Sequence, residues 1–239
     1  LKQVHVLQCD ETPVTLIVPP SLPALDPRDP RTPRITEVLS DALAKGRPSV
    51  AARIWAYRAV DLPFNVFDFT VSRHRDGPDE ILSNFTGVLL GDCWTGFQKI
   101  ELRSHERIRR AACWAHARRK FDTCRTNHPQ VAPRVLALIR ELYDLETRAK
   151  LWSVEQRLAL RQSESLRVLE RLRAYLAGPA SERLMPTSDL AEAIRYVQNN
   201  WDALILFTTN GQLPIDNNEC EQLMKQIATG RKNWLHVGS

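Results

Sequence analysis

The chain begins with closely spaced apolar positions, and Val4, Val6 and Leu7 predict a short strand over residues 3–8. Cys9-Asp10-Glu11-Thr12-Pro13 reads as its end, and residues 14–18 predict a second short strand, which puts the acidic pair Asp10-Glu11 at a strand terminus. Six prolines mixed with Asp and Arg fall between positions 19 and 33. Proline brings no backbone donor to a sheet, so residues 19–34 are expected as an exposed, extended loop. A short helix is predicted over 36–45, with Thr36 as N-cap and Gly46 past its end. Branched and aromatic residues predict strands over 53–59 and 65–71, so the first part of the chain reads as a β-meander. Residues 76–84 look helical. Gly87-Val88-Leu89-Leu90 is a continuous apolar run suited to a strand buried on both faces, and Asp92 comes directly after it.

Beyond Phe121 the period changes. Val135, Leu138, Ile139, Leu142 and Leu145 recur at helical spacing, and Ser153 with Gln156 forms a capping-box signature ahead of a long helix toward Leu176. Residues 190–207 predict a third helix, and Asp216 reads as the N-cap of a further helix carrying Glu221. A helical segment longer than an ordinary connection therefore interrupts a mixed sheet fold. The expected organisation is α/β, with a first core part over 1–121, a helical insertion over 122–214 and a returning core part over 215–239.

Composition narrows this picture. At 239 residues, 43% hydrophobic and 26% charged, the chain is ordinary for a globular protein, which excludes whole-chain disorder and a fibrous architecture. No stretch approaches the roughly 20 apolar residues of a membrane-spanning helix, and the start Leu1-Lys2-Gln3-Val4-His5 has no signal-peptide anatomy, so a cytoplasmic location is expected. Five scattered cysteines predict reduced thiols rather than a disulfide framework. A net charge of +5 suits a polyanionic partner. The opening Leu1 and the uncapped final run 233–239 lead us to expect a fragment of a longer chain.

The candidate chemistry lies in carboxylates that follow apolar runs. If neighbouring strands bring Asp10 and Asp92 together and Glu221 joins them, the cluster repels itself unless cations neutralise it, and hard oxygen donors favour Mg²⁺ or Mn²⁺. Two such ions serve phosphodiester chemistry. Spacing alone favours the plainer role of acids after strands, as turn formers and helix caps. Cys113 and His116 offer two metal ligands, short of a structural zinc site, with Cys124 and His128 as loosely spaced support; a thiol nucleophile with a His base is a weaker reading. Arg118, Arg119 and Lys120, and Arg231, Lys232 and Trp234, are basic clusters beside aromatics that suit phosphate contacts and stacking on an unpaired base.

Taken in order, C-D-E-T-P (9–13), G-V-L-L-G-D (87–92), C-W-A-H-A-R-R-K-F (113–121), I-D-N-N-E-C-E (215–221) and G-R-K-N-W-L (230–235) closely resemble the transposases of the insertion sequence 66 family. The resemblance implies a ribonuclease H-like catalytic domain with a helical insertion before the final acid. It implies that Asp10, Asp92 and Glu221 match an Asp-Asp-Glu triad that binds two divalent ions, Mg²⁺ or Mn²⁺, exposes 3′ hydroxyls at the element's ends and drives their attack on target DNA. Cys113 and His116 match a C-x-x-H signature with a supporting role. The implied partners are terminal inverted repeats and target DNA, with a homo-oligomer as the active complex in a bacterial cytoplasm, at the nucleoid.

Two departures stand out. Relatives usually carry D-G-Y-x-x-Y where this chain has Asp92-Cys93-Trp94-Thr95-Gly96-Phe97, and Glu-Arg then Arg-Pro where it has Glu221-Gln222 and Lys225-Gln226. Losing guanidinium groups weakens phosphate recognition. The alternatives are therefore a truncated, inactive remnant that binds DNA without cutting it, and a structure-specific nuclease on the same fold.

Overall fold

The computed structural model describes residues 3–178, 180–181 and 184–234. β1 (Val6–Ile17) pairs antiparallel with β2 (Ser49–Ala59), from Leu7 opposite Ala59 to Ile17 opposite Ser49. β2 pairs antiparallel with β3 (Asn65–Thr70). With β4 (Gly87–Gly91) and β5 (Ile108–Ala112) these strands make one mixed sheet in the order β3-β2-β1-β4-β5. The two short strands expected over 3–8 and 14–18 are thus a single one. Thr12 and Val14 are buried while Pro13 and Thr15 are exposed, so a period of two runs straight through the expected turn. Pairing along the whole of β2 outweighs the local turn preference of Asp10-Glu11-Thr12-Pro13, and Pro13 is accommodated at an exposed position opposite Arg53. Asp10 consequently lies inside a strand, opposite Ala56, and not at its end.

The described residues pack as two compact units, the first from 3–87, 94–109 and 218–234, the second from 88–93 and 110–217. In the first unit, α1 (Thr32–Ala44) begins four residues before the expected N-cap Thr36. Pro33 sits in the first turn, where its fixed φ suits the helix and its missing N–H costs nothing. Gly46 follows at φ +60°, the left-handed conformation expected just past a helix end. The Pro-rich segment before α1 carries no strand and ends at Arg31. Its guanidinium bonds Asp68 through Nη1 (2.7 Å) and Nη2 (3.1 Å), the Phe69 carbonyl and Glu80, tying loop, β3 and α2 (Asp76–Ile81) together. α3 (Thr95–Arg103), which the sequence pattern did not signal, seats Phe97 edge-on against Trp94, with Trp55 buried beside both. A Cβ at Gly96 would fall 2.2 Å from the Trp94 ring, so only glycine lets that indole fold back. α10 (Asn218–Trp234) lays Cys220 and Met224, with Leu223 and Ile227 beside them, on Ala56 of β2.

Apart from its share of β4 and β5, the second unit is helical: α4 (Trp114–Thr123), α5 (Ala132–Arg148), α6 (Val154–Leu160), α7 (Leu166–Ala177), α8 (Asp189–Asn199) and α9 (Trp201–Ile205). α5 buries Val135, Leu138, Ile139 and Leu142, the stripe its period announced. Ser153 and Gln156 form the expected capping box, and the helix they start runs through one π turn, Arg161–Ser165, into α7. The helix expected over 190–207 is broken at Asn200. The Asn200 side-chain amide donates to the Tyr196 carbonyl and its oxygen accepts from Arg110 (3.1 Å), giving the backbone a partner outside the helix ladder. α10 begins at Asn218, so Asp216 precedes the cap position; its carboxylate instead accepts a hydrogen bond from the Tyr143 hydroxyl (2.8 Å). Among the described residues no helix is long and apolar enough to cross a membrane.

Candidate active site

In the first unit, two of the three predicted acids bear on one thiol. Asp10 comes from the middle of β1 and Glu221 from the first turn of α10, and both are half-buried. Cys220, next to Glu221 on α10, is fully buried, and its thiol donates at 3.5 Å to the carbonyl of Ala56, the residue opposite Asp10 in β2. Burial pushes that thiol up to about 12; the charge of Asp10 adds to the effect, Arg58 opposes it, and Glu221 adds a smaller push. At neutral pH Cys220 is therefore a neutral thiol. The carboxylates offered here are half-buried hard oxygen donors, the set that suits a hydrated hard cation. Arg58 also pairs with Glu219 at 2.9 Å, holding the start of α10 to β2.

In the second unit, the third acid sits among side chains of the helical segment. Asp92 follows β4 directly, as the apolar run predicted. Its neighbour Cys93 accepts a hydrogen bond from Tyr196 of α8; burial raises the thiol, Arg110 favours the thiolate, and Asp92 disfavours it. Burial likewise drives the Tyr196 hydroxyl well above its ordinary value. Cys113 and His116 frame the start of α4. The Cys113 N–H bonds the Gly91 carbonyl (3.2 Å), and its buried thiol is pushed up to about 12, with the backbone N–H groups of Asn217 and His116 opposing. Trp114 fixes the same region twice, through its N–H to Ile215 (3.1 Å) and its indole N–H to Leu204 (2.9 Å). The C-x-x-H segment thus joins the end of β4 to the stretch that leads into α10.

The other candidates fall elsewhere. Cys124 donates to the Phe121 carbonyl and His128 pairs with Asp189 at 2.9 Å, so neither is directed to Cys113. Arg118 and Arg119 are exposed on α4, opposite buried Trp114, Ala117 and Phe121. Lys120 pairs with Glu192 (2.9 Å) and lies over the Tyr196 ring, so its ammonium already has partners within the unit. Arg231, Lys232 and Trp234 belong to the last turns of α10, and their side chains lie outside the described residues. Sequence reading missed Tyr143 and Tyr196, the hydroxyls that meet Asp216 and Cys93. Each bond joins residues far apart in the chain, and nothing local to either tyrosine announces its partner.

Comparison with known proteins gives a consistent answer. The model of the family described as "Transposase IS66 family" matches residues 38–239, a span that includes Asp92, Cys113, His116 and Glu221 and begins after Asp10. Among curated proteins, the chain is similar to three from Sinorhizobium fredii (strain NBRC 101917 / NGR234), each described as uncharacterized. They are y4hP, 31% identical over 78% of this chain and 38% of its own length, y4jD, 30% identical over 78% and 39%, and y4qI, 31% identical over 79% and 37%. The chain spans less than two fifths of the length of these relatives. No solved structure matches it significantly.

Proposed function

The chain belongs to the Transposase IS66 family, and on that premise we propose that it is the metal-dependent catalytic part of a DNA transposase, built on a ribonuclease H-like sheet with residues 122–214 as the helical insertion. Asp10, Asp92 and Glu221 hold the divalent ions. The observation that carries this reading is the placement of Asp10 and Glu221, which are remote in the chain, so that both act on Cys220. That matters most for Asp10, which precedes the family match.

Two divalent ions, Mg²⁺ or Mn²⁺, supply activation of an attacking oxygen and stabilisation of the leaving one when bound. The chain's own part is to offer three carboxylate donors and to keep the neighbouring thiols protonated. Burial does the second by raising Cys113 and Cys220. Cys113 and His116 support the site by fixing the start of α4. Arg118 and Arg119, and Arg231 and Lys232 with Trp234, are the proposed phosphate contacts, and the DNA partners are the element's terminal repeats and a target duplex, engaged by an oligomer of the whole protein. The expected place of action is the bacterial cytoplasm at the nucleoid.

The test is 3′-end nicking and strand transfer on matched terminal-repeat DNA with Mg²⁺. Asp10→Asn, Asp92→Asn and Glu221→Gln each reduce product to background while retaining DNA binding. Activity that survives Asp92→Asn removes that residue from the mechanism. A second reading rests on Gln222 and Gln226, which stand where relatives usually carry guanidinium groups: a chain that retains terminal-repeat DNA without cutting it, with or without metal, is an inactive remnant.

A further inference from the structure

We propose that the groove between α5 and α7 is a docking track for the phosphate backbone of duplex DNA, separate from the metal-binding acids and from the basic clusters on α4 and α10. This rests on the reading of the protein as a transposase only in its choice of DNA as the polyanion.

The groove has a volume of about 430 Å³ and is walled by Arg134 and Glu141 of α5 and by Arg171 and Tyr175 of α7, with the small Ala137 and Ala174 between them. Arg167, Arg171 and Tyr175 are spaced at four-residue intervals, so they form one stripe along about 12 Å of helix. Arg134 reaches this stripe from α5, its guanidinium stacked 4.6 Å from the centre of the Tyr175 ring. Arg171 is held in a two-bond fork by Glu141, at 2.7 and 3.0 Å, yet remains 57% exposed. Arg134 and Arg167 are exposed and form no ion pair among the described residues. Glu170 is also exposed but lies about 100° around the helix from Arg171.

The stripe therefore carries three guanidinium groups against one carboxylate. One of the three, Arg134, is fixed by the tyrosine face before any ligand arrives, which reduces the side-chain entropy lost on binding, whereas Arg171 shares its fork with Glu141. A planar fork matches a phosphate bidentately, and the small, exposed Ala137 and Ala174 leave room for the backbone beside the buried Leu138. Solvent-exposed arginines commonly do nothing but hydrate. What sets these apart is the regular line, the stacking platform and the surplus of positive charge, two arginines to one glutamate in the groove lining with Arg167 one turn beyond it on α7.

The experiment measures binding of a random-sequence duplex to the Asp92→Asn chain in EDTA, across a salt series, so that cleavage plays no part. The double variant Arg134→Gln/Arg167→Gln should flatten the slope of log K against log salt by about 2, since each lost phosphate contact removes about 0.9. Glu141→Gln should tighten binding and steepen the slope, because it removes the groove's only acid and frees Arg171; a purely structural groove gives no gain. Arg173→Gln, which removes an exposed α7 arginine that stacks on Trp201 away from the stripe, should leave the slope unchanged. Thermal melting of each variant confirms folding. Equal slopes for wild type and the double variant, or an equal loss in Arg173→Gln, overturn the groove while leaving the transposase reading intact. A folded parent chain that fails to bind duplex at all overturns the groove, and nicking by the wild-type chain separately decides the transposase reading.

Discussion

Arg161 and Arg171 each answer a glutamate on the same helix, α5, and their surroundings could hardly differ more. Arg161 sits in the π turn between α6 and α7 at 1% exposure, bonded to both oxygens of Glu146, itself 15% exposed, and to the carbonyls of Phe207, Asn210 and Leu213. Arg171, ten residues on, grips Glu141 with comparable geometry, but the two are 57% and 44% exposed. A charge taken from water must have every bond replaced, and the loss of one partner strands the other. A charge left in water gains little from a partner and loses little without one. The buried pair is therefore a commitment of the fold, tying α5, the π turn and the segment 207–213 into one piece. The exposed pair leaves its arginine available to a ligand.

Three measurements sharpen or break that contrast. Arg161→Met, by leaving Glu146 and three carbonyls without their donor, should cost about 3–5 kcal/mol in urea unfolding; wild-type stability in this variant would dissolve the distinction. Glu146→Gln keeps a side chain of similar shape and leaves the three carbonyl contacts in place, so its loss should be smaller, about 2 kcal/mol, the scale of a charged hydrogen bond. Arg171→Gln should change unfolding free energy by no more than about 0.5 kcal/mol while weakening retention of duplex DNA. A large stability loss there would place Arg171 with Arg161 as a structural residue.

The same division separates what was legible in the sequence from what was not. The stripe of α5, the capping box at Ser153 and the strand that ends just before Asp92 are local events, decided by residues within a turn or two of one another, and the pattern located each of them. Where local chemistry competed with pairing at a distance, pairing won. The residues 9–13 favour a turn, yet β2 supplies a partner along the whole of β1, and Asp10 moves from a strand end to a strand interior. Asn200 shows the same inside a helix, a periodic apolar run interrupted where one amide bonds Tyr196 in its own turn and Arg110 far away in the chain. Lys120, read as a phosphate contact beside Arg118 and Arg119, is drawn to Glu192 by the packing of α4 on α8.

By itself the sequence determined the identity and order of the candidate acids, the helical character of 122–214 and the family to which the chain belongs, because motif order and hydrophobic period are written in neighbouring residues. Only the tertiary structure decided that Asp10 and Glu221 both act on Cys220, that Tyr196 meets Cys93, and that one arginine is structural while another lines an open groove. Those outcomes depend on which surfaces exclude water, and exclusion of water is a property of packed elements that no single segment of chain possesses.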